Sequence, residues 1–369
     1  MNRELLELYS DYLLSAFSHT TATGLSALTQ GTISHDKITR FLAKEELDSP
    51  ALWRLVKPMV RAIEEGREEE KEELEPALLI IDDTIEEKPY TDESELVCWH
   101  YDHSQGRTVK GINFISALYQ AGEASVPVAF ELVKKTEWVF NQKKGRWQRK
   151  SPTSKNELYR RMLSACVKNR IGFRYVLNDV WYASSENMRH VKEELKKEFI
   201  MPIKTNRKVA LSLEDKKRGA YEQVGSLELE PNTTRRVYLE QVPFPLLLCK
   251  QVFENEDGSE GVLYLVSSDL TLDYEGLTTI YQRRWKVEEY HKSLKSNASL
   301  ERSPTKTVKT QSKHVFSSIY AFVKLERLKL STKMNHFAIR SSIYLKALRA
   351  SYEELKRLQL TDVGFRARA

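Results

Sequence analysis

The chain has 369 residues, 41% of them hydrophobic, and a formal net charge of +6, enough apolar content for a large core and room for two or three domains. No apolar run approaches the roughly 18 residues of a membrane span, and the opening MNRELLELYS lacks the apolar stretch of a signal peptide, so the expectation is a soluble intracellular chain with no membrane segment. Cys98, Cys166 and Cys249 are far apart and show no CxxC spacing, which fits buried small residues better than a redox or zinc set.

Charge is distributed unevenly. Residues 1–76 hold 9 Lys/Arg against 15 Asp/Glu, residues 77–290 hold 32 against 32, and residues 291–369 hold 17 against 5. A basic C-terminal region suits a polyanionic partner such as DNA, because phosphate neutralisation supplies most non-specific affinity. The bland alternative is a basic helical surface that confers solubility.

In chain order, residues 1–63 read as helices, with apolar residues at helical spacing in ELLELYSDYLLSAF and breaks at Gly24 and Gly31. Residues 27–43 have the pattern of a helix-turn-helix, with Ser34 capping a helix that carries His35, Lys37 and Arg40. Short helical hairpins are common, however, and the acidic balance of the 1–76 region argues against strong DNA binding by it alone. EEGREEEKEELEP, 64–76, is an acidic connector ending at Pro76. From residue 77 the pattern changes. ALLIIDDT is a buried strand, and VKGINFISALYQ with VPVAFELVKK forms a hairpin around AGEAS. A helix over 154–170, the strand RYVLND, a helix in SENMRHVKEELKKE and the strand FIMPIKT follow. Residues 207–260 hold short β-type runs between polar loops, GVLYLVSSD is a further strand, LERSPTKTVKTQSKH is a basic loop, and helices close the chain at about 312–330 and 336–358.

The segment YQRRWKVEEYHKSLK, 281–295, organises the rest. On one helix Tyr281, Arg284, Glu288 and Lys295 fall within roughly 60° of arc, beside an apolar stripe of Ile280, Val287 and Leu294. This places Glu288 at the edge of the core; the alternative is a surface i,i+4 pair of Arg284 with Glu288.

The spacing Y-x2-R-x3-E-x6-K resembles the signature of one branch of bacterial insertion-sequence DDE transposases, and the aspartates ending ALLIIDDT and RYVLND extend the resemblance over roughly residues 77–330. It implies a ribonuclease-H-like (retroviral-integrase-like) α/β fold: a mixed sheet with a β-rich insertion, an N-terminal helical domain and C-terminal helices. The expected divisions are 1–76, a helical domain with possible DNA binding; 77–206, the first part of the catalytic core; 207–260, the insertion; 261–335, the second part with the signature helix; and 336–369, the C-terminal helix and tail. First and fourth core strands lie side by side in this fold, which brings Asp82 or Asp83 to Asp179.

The resemblance also implies that Asp82, Asp179 and Glu288 are the catalytic and metal-binding acids, holding two Mg2+ ions that Mn2+ can replace. Strand alternation sends Asp82 and Asp83 to opposite faces; the family's Asp-x-Ser/Thr pattern matches Asp82 with Thr84 and favours Asp82. Tyr281, Arg284, Lys295, Lys306, Lys309 and Lys313 are the expected DNA contacts. The activity implied is cleavage at transposon ends and transfer of a 3′-hydroxyl into target double-stranded DNA, by a homodimer on DNA in the bacterial cytoplasm near the nucleoid. Its rivals are a nuclease of the same fold that only hydrolyses, and a catalytically silent DNA-binding descendant. Cys98, His100 and His103 look like metal ligands but lack an obvious fourth, and KKGRWQRK, 143–150, suits phosphate contact with some base stacking around Trp147.

Overall fold

The computed structural model describes residues 1–44, 46–69, 75–102, 105–143, 145–230, 232–254 and 258–361. It divides into two units, Asp48–His291 and a second in which Met1–Leu47 joins Lys292–Ala369. Helices α1 (Arg3–Ser15), α2 (Ala22–Leu28) and α3 (His35–Lys44) belong to the second unit, while α4 (Ser49–Glu69) belongs to the first and packs on its sheet. The acidic connector is helical through Glu69, and its residues 70–74 lie outside the described ones.

The first unit is built on one large sheet. Strand β1 (Leu78–Glu87) is buried through Ile81, as expected of a central strand covered on both faces. It pairs antiparallel with β3 (Arg107–Ala121), which pairs with the edge strand β2 (Val97–Asp102) along one half and with β4 (Ala124–Leu132) along the other. Gly122, at φ +52°, makes the tight turn from β3 to β4 that a side chain would strain. Strands β5 (Glu137–Asn141) and β6 (Arg146–Lys150) form a separate hairpin. Helix α5 (Lys155–Lys168) opens with a capping box between Ser154 and Glu157, satisfying two of its free amides.

Strand β7 (Tyr175–Asn178) then pairs parallel with β1 from Leu78↔Tyr175 to Ile81↔Asn178. Helix α6 (Ser185–Arg189), extended by a wider turn to Glu194, leads to β8 (Glu198–Ile203), parallel to β7. The order β4/β3/β1/β7/β8 is the ribonuclease-H-like mixed sheet, with the first and fourth core strands adjacent.

The interrupting segment extends this sheet. Strand β9 (Lys208–Ala210), helix α7 (Leu213–Arg218), β10 (Glu222–Gln223), β11 (Thr234–Leu239) and β12 (Leu246–Glu254) lead to β13 (Glu260–Ser267), which closes antiparallel on β8. Helix α8 (Tyr274–Gln282), one 3₁₀ turn (Arg283–Trp285) and α9 (Lys286–Ser296) follow. The segment read as one continuous helix is therefore two, with the tighter turn between Tyr281 and Glu288. In the second unit, α10 (Val308–Thr332) starts earlier than expected because Thr307 caps it by accepting from the Thr310 amide, and α11 (His336–Thr361) ends the described chain.

Candidate active site

Parallel pairing of β1 with β7 sets the geometry. The last paired residues are Ile81 and Asn178, so Asp82 and Asp179 are the next residues of adjacent strands and fall on the same face. The neighbour of Asp82 on β3 is Ser116, whose hydroxyl lies 3.3 Å from that of Tyr290 on α9. The face of Asp82 is thus the one covered by the signature segment. Asp83 points the other way, toward α5: its carboxylate accepts from Lys155 Nζ at 2.6 Å, Tyr182 Oη at 2.7 Å and Asn113 Nδ2 at 2.8 Å.

These surroundings give the two acids opposite titration. Burial, reinforced by the negative charges of Asp179 and Asp83, pushes Asp82 up to about 8. Burial also acts on Asp83, but the Lys155 ammonium and the bonds from Lys155, Tyr182 and Asn113 outweigh it and hold Asp83 below the usual carboxylate range. Asp179 is raised by burial and by the charge of Asp83, against amide bonds from Trp181 and Tyr182. Its Oδ1 accepts the Trp181 amide at 3.0 Å, so it also caps the short turn Val180–Tyr182, as a strand-end aspartate commonly does.

Glu288 is one step removed. Its carboxylate, 36% exposed, accepts from Arg284 Nη2 at 2.7 Å, and the Arg284 guanidinium is the common cationic neighbour of Glu288 and Asp82. The structure brings Asp82 and Asp179 together and leaves Glu288 engaged with arginine; among the described residues no three acidic, histidine or cysteine side chains stand ready to hold an ion. The donor set nonetheless fits a hard divalent cation, since Asp82 and Asp179 are buried carboxylates whose charged forms are disfavoured by burial and by neighbouring acids despite Arg284 nearby, and the Glu288 carboxylate offers further oxygen donors beside them.

Tyr281 packs against the end of β7. It is 8% exposed and its hydroxyl donates to the Asn178 carbonyl at 3.4 Å, so it braces the strand end beside Asp179, just ahead of the 3₁₀ turn Arg283–Trp285. Arg283, which spacing did not single out, ties that turn to the sheet by donating through Nε to Gln120 Oε1 at 2.8 Å and through Nη1 to the Pro76 carbonyl at 3.0 Å. Lys155 and Asn113, which with Tyr182 are the partners of Asp83, are likewise outside the residues that spacing singled out. In the second unit Lys295 is on the last turn of α9, Lys306 and Lys309 are exposed around the start of α10, and Lys313 is half-buried on its second turn. Cys98 Sγ lies 3.3 Å from His100 Nε2; His103 is outside the described residues.

Two comparisons with protein families cover these parts. Residues 1–223, which carry Asp82 and Asp179, match the DDE superfamily endonuclease family, and residues 142–322, which carry Asp179 and Glu288, match the transposase DDE domain. A search of curated proteins finds no match. No helix among the described residues is long and apolar enough to cross a membrane. With the ribonuclease-H-like sheet, paired aspartates at its parallel strand ends and family matches that together span 1–322, the chain belongs to the DDE superfamily of endonucleases and is a DDE transposase.

Proposed function

We propose that this transposase cuts DNA at the ends of its element and joins the freed 3′-hydroxyl to target DNA, with Asp82, Asp179 and Glu288 as the catalytic acids. The observation that carries the reading is the in-register placement of Asp82 and Asp179 at adjacent parallel strand ends, on the face that also bears Arg284 and Glu288. Magnesium, or manganese in its place, bound as a pair by these three acids, supplies activation of the attacking oxygen and stabilisation of the departing one in an in-line displacement.

The residues of the chain have separable tasks. Asp82 and Asp179, placed side by side by strand pairing, would hold the cation through their carboxylate oxygens, and its charge would favour their ionised forms. Arg284 pairs with Glu288 and, with Glu288 holding a cation, would be placed to meet a backbone phosphate of the substrate. Asp83 carries no cation in this scheme, because Lys155 already satisfies it. Tyr281 fixes the Asn178 backbone and so the direction of Asp179. Lys295, Lys306, Lys309 and Lys313 supply charge for double-stranded DNA. Joining two ends requires two active sites, and a homodimer fits the exposed apolar side chains of Leu345, Leu348, Tyr352 and Leu355, which recur along α11 at the 3- and 4-residue spacing of a coiled-coil seam.

The test uses DNA carrying the repeats that flank the reading frame. With magnesium or manganese the chain cuts at the repeat ends and joins 3′-hydroxyls to target; with calcium it binds but does little chemistry. Glu288→Gln abolishes cutting and joining while DNA binding persists. Full activity of Glu288→Gln removes the assignment, and cutting without joining replaces it with a nuclease.

A further inference from the structure

The β5–β6 hairpin is exposed on much of its surface, yet it carries Trp138, Phe140 and Trp147 at 52%, 52% and 63% exposure. Beside it the edge strand β2 exposes Trp99 and Tyr101 at 51% and 54%. Between hairpin and edge strand lies a pocket of about 290 Å³, walled by Trp99, Trp138 and Trp147, with Gln148, Arg146 and Arg149 among its polar groups. Its volume lies just below the range of small-molecule sites, about 300–1,000 Å³.

The cations here are interleaved with the rings. Arg149 stacks its guanidinium 4.5 Å from the Trp138 ring centroid, and the Lys110 ammonium is 5.9 Å from that of Trp99. Exposed ring faces stack on any base without reading its identity, and arginine or lysine beside them attracts the backbone phosphate. Bases in a duplex already stack on one another, so a pocket of this size and chemistry suits a base that has left its pair. The pocket also neighbours the proposed chemistry: β2 is separated from β1 by β3 alone, and His100 on the pocket's inner wall is within electrostatic reach of Lys155 and Asp83.

From this we infer that the pocket between β2 and the β5–β6 hairpin binds an unpaired base of a DNA strand, apart from the carboxylates. The inference rests on the reading that the substrate is DNA but not on the assignment of the catalytic acids.

The full chain is titrated with a fluorescent oligonucleotide of about six thymidines, with its abasic counterpart and with a blunt duplex, at roughly 0.1 M salt. Joint Trp138→Ala and Trp147→Ala substitution weakens thymidine binding about 5- to 100-fold, and the abasic strand binds the native chain about tenfold more weakly than thymidine. Duplex affinity moves less than about twofold, and Trp147→Phe, which keeps a ring, loses less than Trp147→Ala. Equal affinity for thymidine and abasic strands overturns the inference. So does a doubly substituted chain that binds thymidine like the native one, including one that merely changes from dimer to monomer and so marks the face as a protein interface. Should the substituted chains fail to fold, photocrosslinking of a 5-iodouracil strand to the native chain decides: adducts at Trp99, Trp138 or Trp147 support the pocket, and adducts confined elsewhere overturn it. A native chain that stacks the strand but cuts no DNA removes the catalytic reading and leaves the pocket standing.

Discussion

The two faces of β1 at its carboxyl-terminal half make an instructive pair. Asp82 and Asp83 are consecutive and similarly buried, and one backbone amide links them, Asp83 N donating to Asp82 Oδ1 at 2.8 Å. Toward α5, Asp83 meets one ammonium and two neutral donors and is satisfied. Toward α9, Asp82 meets a second aspartate and shares Arg284 with Glu288. A buried acid with its partner supplied by the fold contributes to stability; a buried acid that faces another acid costs stability and is poised for a cation from outside. The difference separates a structural carboxylate from a candidate catalytic one without reference to sequence motifs.

The largest test of this contrast exchanges the two acids' fates. Asp82→Asn and Asp179→Asn reduce metal-dependent DNA cutting to background, whereas Asp83→Asn leaves measurable cutting in whatever fraction of the chain remains folded. Background activity in Asp82→Asn together with a metal-free melting temperature raised by roughly 2–4 °C, as relief of about 1 kcal/mol of repulsion would give in a domain of this size, marks strain held for function. Full activity in Asp82→Asn reverses the roles.

Stability sharpens the other side. Lys155→Met leaves Asp83 buried without its cation and lowers unfolding free energy by about 2 kcal/mol, less than the 3–5 of a fully buried pair because both side chains keep some exposure. The double variant Lys155→Met with Asp83→Asn recovers part of that loss, and denaturant titration of all four forms gives the coupling. Strict additivity contradicts the pairing.

Titration separates the faces again. The raised pKa of Asp82 means that the unfolded chain releases this proton first, so its contribution to stability declines as pH rises from about 4 toward about 8 and then levels off. Asp83, held low, contributes stability that is present above about pH 4 and lost as pH falls through its folded value. Melting curves of the metal-free chain between pH 6 and 8 therefore slope downward more in the native protein than in Asp82→Asn, and magnesium or manganese stabilises the native protein more at pH 8 than at pH 6. An equal slope in both proteins contradicts the raised pKa of Asp82.

The smallest effect concerns DNA affinity away from both faces. Joint replacement of Lys306, Lys309 and Lys313 by Ala reduces the slope of log affinity against log salt by up to about 3. An unchanged slope means that the start of α10 does not meet phosphate.

Much of this arrangement was legible in advance. The apolar run before Asp82 and the one before Asp179 specify buried strands, and the Ile280, Val287 and Leu294 stripe is buried as its period requires. Less legible were features whose signal is short or shared. The turn Arg283–Trp285 interrupts a pattern that reads equally well as one helix, because a 3₁₀ turn shifts the period by less than a residue. The β5–β6 hairpin is too short and too exposed for a buried face to mark it, and the union of residues 1–47 with 292–369 joins segments distant in sequence.

The sequence by itself determined that acids end two apolar strands and that a third sits on a helix beside an apolar stripe, since periodicity and side-chain chemistry are local properties of the chain. It also determined that Asp82 and Asp83 face opposite ways, because pleating alternates side chains. Only the tertiary structure decided which of those ways leads to Lys155 and which to Asp179, that Arg284 holds Glu288, and that Tyr281 turns inward to the Asn178 carbonyl. Those outcomes depend on strand order, on the register of β1 against β7 and on the bend between α8 and α9, which long-range packing sets and no local pattern encodes.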